Sequence, residues 1–424
     1  MEVIMKKIRI GIFGLSRGFN NRKAIMLNDA EIVAICDKKK RFRDRAVAEL
    51  GSDVKVFSDF DEFIKTDMDA VYLANYFPEH APYAIKCFER NIHVISECIS
   101  SGTMAESVEL VRAWEKSKSV YMLAENYPYM LFNQEMQKVY ASGVLGKVLF
   151  AEGEYNHPGP GNNKESVQEL FDSEEHWRTH LPRTYYVTHS LGPIMMATKS
   201  EPVSVCALPV NIGKPKIPEN DDVISGACFN DTASIMITKN DDGSVFRFVG
   251  HSSFGAHANV YRIAGTKGQI ENQRGTEGKI ALNFNSWRVP EGYEEHNFYF
   301  PKEDETVAKL AEQTGHAGGD YYMFRDFFDC IKTGRKPYFD VYVATKMSSV
   351  AILAHRSQLA GGMPYEIPDF RKEEDRVKWQ DDRISPFYTY GKNEPNIQCC
   401  SDPTFKQNEG RLARFRAALK EVEE

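Results

Sequence analysis

The chain has 424 residues, 42% of them hydrophobic, enough to bury a large core and more than one typical domain needs. A formal net charge of -7 and a pI near 6.0 come from interspersed acidic and basic residues, so no single-sign field attracts nucleic acid or an anionic membrane surface. Two domains and a small-molecule partner are the expectation.

Five short apolar runs, "IRIGIF", "IVAIC", "AVYLAN", "IHVIS" and "VYMLA", recur through the first 125 residues, separated by segments that suit helices. Such alternation predicts a parallel, doubly wound sheet. After the first run, "GIFGLSRGFN" places Gly14, Ser16 and Gly18 roughly where a dinucleotide loop has its glycines, with Arg17 among them. Ser16 keeps its backbone N–H for a phosphate and adds a hydroxyl, but its Cβ limits close approach. An ordinary strand-to-helix turn has the same look. Asp37 ends the second run, where a carboxylate accepts hydrogen bonds from the adenosine ribose. A helix N-cap is the plain alternative. Lys38, Lys39, Lys40 and Arg41 follow and suit either a 2′-phosphate or a solvated helix start. Because Asp37 repels a 2′-phosphate, NAD is favoured over NADP.

"TMAESVELVRAWEKS" predicts a helix, with Thr103 and Glu106 in capping-box spacing and Val108, Val111 and Trp114 on one face. Another helix is expected to end at Gly143. The pattern then changes to alternating segments, "KVLFAEGEY", "VSVCALPV", "ASIMITKN" and "SVFRFVGH", the last two joined by the turn "NDDGS". They predict a second domain on a mostly antiparallel sheet. Residues 320–360 return to helical periodicity, and the tail after Pro364 is polar until Leu412, Phe415, Leu419 and Val422 form one stripe. That stripe suits docking on this chain or a neighbour's. Eight scattered cysteines read as reduced thiols, and the absence of a leader pattern or a long apolar segment suggests a cytoplasmic protein. His176 and His180 are spaced as a helical pair but lack the zincin glutamate, so no metal is expected.

Over about residues 5–370 the chain resembles the Gfo/Idh/MocA oxidoreductase family. "VYLANYFPEHAPYAIKCF" matches its strand, A-T-P and histidine pattern, with Asn75 at the threonine position and His80 at the histidine. "HVISECISSG" keeps Glu97 of the family's Glu-Lys-Pro but has Cys98 and Ile99 in place of lysine and proline. In the family's sugar dehydrogenases that lysine helps to move the proton of the reacting hydroxyl. "LAENYPYM", "LGKVLFAEGEYNH", "YYVTHSLGPIM" and "HAGGDYYMFRDFFDCIKTGRKPYFDVYVA" are similar to the NAD-dependent glycosidase branch, including its α-N-acetylgalactosaminidase-like enzymes, which also lacks the lysine.

The resemblance implies an α/β protein. Its N-terminal Rossmann domain, with a doubly wound parallel sheet, covers residues 1–126. A C-terminal α/β domain with a large mostly antiparallel sheet, for substrate binding and oligomerisation, covers 127–370, and a polar extension covers 371–424. It implies NAD as cofactor, a carbohydrate substrate and a homo-oligomer. The chemistry implied is oxidation of the C3 hydroxyl, elimination of the C1 substituent, addition of water and return of the hydride. By position, His189, Tyr186, Glu125, Tyr155 and His157 match the branch's active site. Gly14, Ser16, Arg17, Gly18, Asp37, Asn75, His80, Glu97 and Asn126 fall to the cofactor.

Read alone, Tyr186 and His189 share one face of a helix turn, an arrangement that equally suits a histidine satisfied at a helix start. Glu125 ends a strand, as a ligand-binding group or as a cap. Tyr155 and His157 share one face of a strand, either a pocket floor or a solvent face. His316, before Gly318 and Gly319, lies in a backbone-exposing turn able to approach the sugar. Two other functions fit the same residues: a plain sugar dehydrogenase or keto-sugar reductase with His189 in the lysine's role, and a catalytically silent sugar or nucleotide sensor. Joint retention of Asp37, Glu97 and His189 weighs against the sensor.

Overall fold

The computed structural model describes residues 7–158, 164–210, 230–252, 255–276, 278–388, 394–406 and 409–420. The chain forms two compact units, one of residues 1–135, 300–346 and 369–381, the other of 136–299, 347–368 and 382–424. Neither is contiguous in sequence. Two late helices return to the first unit. Gly319–Thr333 sets Phe324 edge-on to Tyr72 at 5.2 Å, and Glu373–Trp379 brings Arg376 onto Glu115 at 2.5 and 2.8 Å.

The first unit holds six parallel strands: β1 (Ile8–Phe13), β2 (Ala30–Cys36), β3 (Lys55–Phe57), β4 (Ala70–Leu73), β5 (His93–Ser96) and β6 (Tyr121–Leu123). Their order is β3-β2-β1-β4-β5-β6, with the reversal between β1 and β4. Five are the apolar runs, because strands of a parallel sheet covered on both faces have no solvent side to alternate with. β3, "KVF", is an edge strand of three residues, two of them exposed, and so carries no apolar signal. The helix Met104–Trp114 has its full capping box: the Glu106 N–H donates to Thr103 Oγ1 at 3.2 Å and the Thr103 N–H to Glu106 Oε2 at 3.1 Å.

The second unit holds nine strands: β7 (Val148–Asn156), β8 (Pro202–Val210), β9 (Ala233–Asn240), β10 (Val245–Ser252), β11 (Ala258–Gly265), β12 (Gly268–Asn272), β13 (Ile280–Phe284), β14 (His296–Tyr299) and β15 (Tyr365–Glu366). Their order is β14-β13-β12-β11-β7-β10-β9-β8-β15, and only β7 and β10 pair in parallel. β9 and β10 make the hairpin around "NDDGS". Ala151, Met236, Phe246, Phe248, Tyr261 and Ile263 are buried, whereas Arg247 binds Glu152 and Glu154 among the partly exposed side chains. The C-terminal helix Glu409–Lys420 docks on its own chain, Phe415 and Ala418 packing with Val167 and Phe171. Val422 lies outside the described residues. No described helix is long and apolar enough to cross a membrane.

Candidate active site

In the first unit the candidate residues follow the carboxyl ends of the strands, where open parallel sheets bind ligands beside the reversal in strand order. Gly14 follows β1 at φ +92°, a conformation costly for any residue with a side chain, and a Cβ there would overlap the Ala74 carbonyl. Ser16 and Arg17 are partly exposed, and the Gly18 N–H closes the turn on the Gly14 carbonyl at 3.1 Å. Asp37 follows β2, 8% exposed, accepting the Leu15 N–H at 2.7 Å and the Lys39 N–H at 2.8 Å. It therefore holds the loop in shape, and each oxygen keeps a lone pair for a ribose hydroxyl. The basic residues after it are engaged: Lys38 lies 4.2 Å over the Tyr76 ring, and Arg43 donates to the Asp37 and Lys38 carbonyls.

After β4 comes Asn75, whose amide nitrogen donates to the Glu79 carbonyl at 3.2 Å while its buried Oδ1 meets no protein donor. His80 is buried, Nδ1 bonded to the Ile99 carbonyl at 2.7 Å. Burial pushes its pKa down, against the opposing pull of the Ile99 and Asn75 backbone and the Glu97 charge, so it stands as a neutral fixture of the turn. Glu97, after β5, accepts from Arg17 Nε at 2.9 Å and from the Tyr72 hydroxyl at 2.5 Å. Burial, then the Glu97 charge, pushes the Tyr72 phenol well above its ordinary range. Cys98 comes next, and its thiol donates to Glu125 Oε2 at 3.4 Å. Glu125 is fully buried after β6 and also accepts the Tyr127 N–H at 3.2 Å. Asn126 donates to Asp320 at 2.6 Å, and its buried Oδ1 meets no protein donor.

In the second unit, β7 carries Tyr155, with His157 just past the strand end. Tyr186 closes the 3-10 turn Arg183–Tyr186, and His189 lies in the first turn of the helix Thr188–Thr198. These side chains form one cluster. The Tyr155 ring stacks on Tyr186 at 5.8 Å and meets His189 edge-on at 4.9 Å, while Tyr186 and His189 are 5.3 Å apart. His157 stands 5.6 Å from Tyr155 and 4.9 Å from His257. Gly153 lets the helix reach the sheet, since a Cβ there would overlap the Ser190 carbonyl, and the Tyr261 hydroxyl fixes the first turn by donating to the His189 carbonyl at 2.6 Å. Two phenols and an imidazole in ring contact can exchange protons with a bound hydroxyl compound.

His176 and His180 flank the 3-10 turn Trp177–Thr179 rather than sharing a helix face, and each has its own neighbour, the Arg178 N–H and Cys399 Sγ respectively. Sequence reasoning missed Tyr72, Asp320 and His257. Tyr72 sits in an apolar run that reads as core, and His257 sits in a loop without a motif. Asp320 alone had a signal, as the acid opening a helix after "HAGG".

Fold and strand-end site define an oxidoreductase built on a nicotinamide-dinucleotide domain. Residues 8–125 match the GFO_IDH_MocA description, an oxidoreductase family with an NAD-binding Rossmann fold, and residues 231–380 match the glycosyl hydrolase 109 C-terminal domain. The chain thus joins a Gfo/Idh/MocA NAD-binding domain to a glycosyl hydrolase 109 C-terminal domain, and it is an NAD-dependent oxidoreductase. It is 25% identical over 398 residues, 87% of this chain and 78% of the relative, to a glycosyl hydrolase family 109 protein of Streptomyces filamentosus. Another, glycosyl hydrolase family 109 protein 2 of Akkermansia muciniphila, is 26% identical over 405 residues, 86% of this chain and 83% of the relative. A levoglucosan dehydrogenase solved with NADH and L-sorbose superposes with a TM-score of 0.71 at 16% identity, covering 86% of this chain and 100% of that one, which shows the fold.

Proposed function

We propose that the protein cleaves a glycoside by a redox-neutral route: oxidation of a ring hydroxyl, elimination at the anomeric carbon, addition of water and reduction. The observation that carries this reading is the ring-contact cluster of Tyr155, Tyr186 and His189, in a chain where Cys98 follows Glu97. Net oxidation needs one proton acceptor for one hydroxyl. Cleavage needs protons moved at the hydroxyl, at the carbon beside the new ketone, and at the departing oxygen, and a cluster of phenols and imidazole suits that larger task.

The first unit fits NAD by its own features: the Gly14 turn, the Asp37 carboxylate, and the buried oxygens of Asn75 and Asn126 that meet no protein donor. When bound, NAD accepts the hydride and later returns it. Asp37 binds the ribose and the loop N–H groups take the pyrophosphate, while Asn75, Glu97 and Asn126 shape the other half of the groove. His189 takes the proton from the carbon beside the ketone, and Tyr186 protonates the departing oxygen. His157 orders the water that adds back. Seven described cysteines are free thiols, which supports a reducing, cytoplasmic setting. Exposed Leu149, Val203, Leu208, Ile237 and Val245 on the second sheet's strands support self-association.

The test is a panel of aryl glycosides with aryl-group release and NADH absorbance followed together. Release without NADH accumulation is the expected result. NADH accumulating in step with a ketone product makes the protein a net dehydrogenase, and silence on every glycoside and free sugar removes the enzymatic reading of this cluster.

A further inference from the structure

His316, Ala317 and Gly318 all have left-handed backbones, at φ 55°, 48° and 85°. For the first two, which carry side chains, this conformation is strained, and such strain is kept only where the surroundings dictate the shape. Here the surroundings are a polar lock. Asp320, 2% exposed at the start of the helix Gly319–Thr333, accepts from Asn126 Nδ2 at 2.6 Å, and its other oxygen lies 2.9 Å from His316 Nδ1. Gly319 lets the turn press on the strand end, since a Cβ there would stand 2.8 Å from the Asn126 carbonyl. The His316 ring lies 5.8 Å from Tyr127 and is 28% exposed.

Burial works to raise the Asp320 carboxyl, but the His316 hydrogen bond and charge, the Arg17 charge and the Asn126 amide together hold it below the usual carboxylate range. An ionised Asp320 accepts a hydrogen bond from Nδ1–H and leaves Nε2 as the imidazole nitrogen for a ligand. The dyad stands beside β6, on the side of the strand reversal away from Asp37. A dinucleotide with its adenosine ribose on Asp37 and its pyrophosphate at Gly14–Gly18 must run its nicotinamide half toward β4, β5 and β6. The other ionisable groups placed at these strand ends are committed. Glu97 is bound to Arg17 and Tyr72, Glu125 is fully buried against Cys98, and His80 is buried on the Ile99 carbonyl.

We propose that His316 is a catalytic residue at the nicotinamide end of the cofactor groove, its Nε2 exchanging the proton of the substrate hydroxyl that is oxidised, and that Asp320 is its positioning residue. This rests on the function proposed above. The step balances: the carbon gives a hydride to NAD and its oxygen gives a proton to Nε2, and both return in the closing reduction. Two measurements decide it. First, His316→Gly, which suits a left-handed position, lowers kcat by about 10²- to 10⁴-fold. It leaves NADH affinity within a few-fold, and added imidazole restores part of the rate. Second, on the unmodified protein, NAD slows carbethoxylation of His316 by diethyl pyrocarbonate, read by mass spectrometry, whereas ADP-ribose, which lacks the nicotinamide, does not. A parental kcat in His316→Gly, or a loss that imidazole leaves untouched while the melting point falls, overturns the assignment, as does equal protection by the two nucleotides. If no glycoside is turned over at all, the glycosidase reading fails by itself and the footprint still decides the place of His316.

Discussion

In the first unit the candidate residues stand in turns after parallel strands and are held by hydrogen bonds to backbone and to buried charge: Asp37 on two N–H groups, Glu97 on Arg17 and Tyr72, Asp320 on Asn126 and His316. In the second they are held by ring packing, Tyr155 against Tyr186 and His189, with one hydroxyl-to-carbonyl bond from Tyr261 fixing the helix start. Hydrogen bonds fix direction, and that suits a groove that must meet a polar dinucleotide at defined atoms. Ring contacts fix the spacing of phenols and imidazole, which suits proton exchange with a hydroxyl-rich ligand. The two regions should therefore fail differently when disturbed.

The largest separation is expected from His189→Ala. Turnover falls by about 10²- to 10⁴-fold while NADH binding, followed by fluorescence titration, stays at the parental value. Parental turnover in this variant would make His189 a structural histidine. The mirror experiment is Asp37→Ala, which removes a charged acceptor. It weakens NAD binding by roughly 10- to 100-fold and narrows the preference over NADP, because the repulsion of a 2′-phosphate goes with it. Equal affinities in mutant and parent would displace the ribose from Asp37.

Acid should weaken the second unit through His355. Burial, opposed by the Gln398 carbonyl and reinforced by the Arg356 charge, lowers its pKa from 6.5 to about 4, and its ring bridges Gln398 and Gln358. Between those values the unfolded chain holds the proton and the folded one does not. Stability therefore falls as pH drops from 6.5 to about 4, by about 3 kcal/mol in all. His355→Gln should flatten that slope in urea titrations across the window. An unchanged slope would assign the acid lability elsewhere.

Gly153→Ala is expected to cost about 1–3 kcal/mol, since the new Cβ overlaps the Ser190 carbonyl, and to lower kcat with NADH affinity intact. Thr103→Ala has the smallest effect. It loses a helix cap worth about 1 kcal/mol, shifts the melting point by a few degrees and leaves both cofactor binding and turnover alone.

Local chemistry was legible in the sequence wherever the cause lies within a few residues. The five apolar runs, the Thr103–Glu106 capping box, the hairpin at "NDDGS" and the Gly14 turn each follow from side chains acting on their own backbone, so reading the chain finds them. The three-residue edge strand β3 did not show, because only Phe57 of its three residues is even partly buried. What only the tertiary structure decided are the contacts between distant segments. Asp320 meets Asn126 across 194 positions, Tyr261 reaches His189 across 72, and Asp37 Oδ2 accepts from Leu15, 22 residues before it. Such pairs leave no periodic trace, because each partner is chosen by the shape of the packed sheet and not by its neighbours in the chain. That is why a lone histidine before two glycines reads as a loop until the fold sets a buried carboxylate behind it.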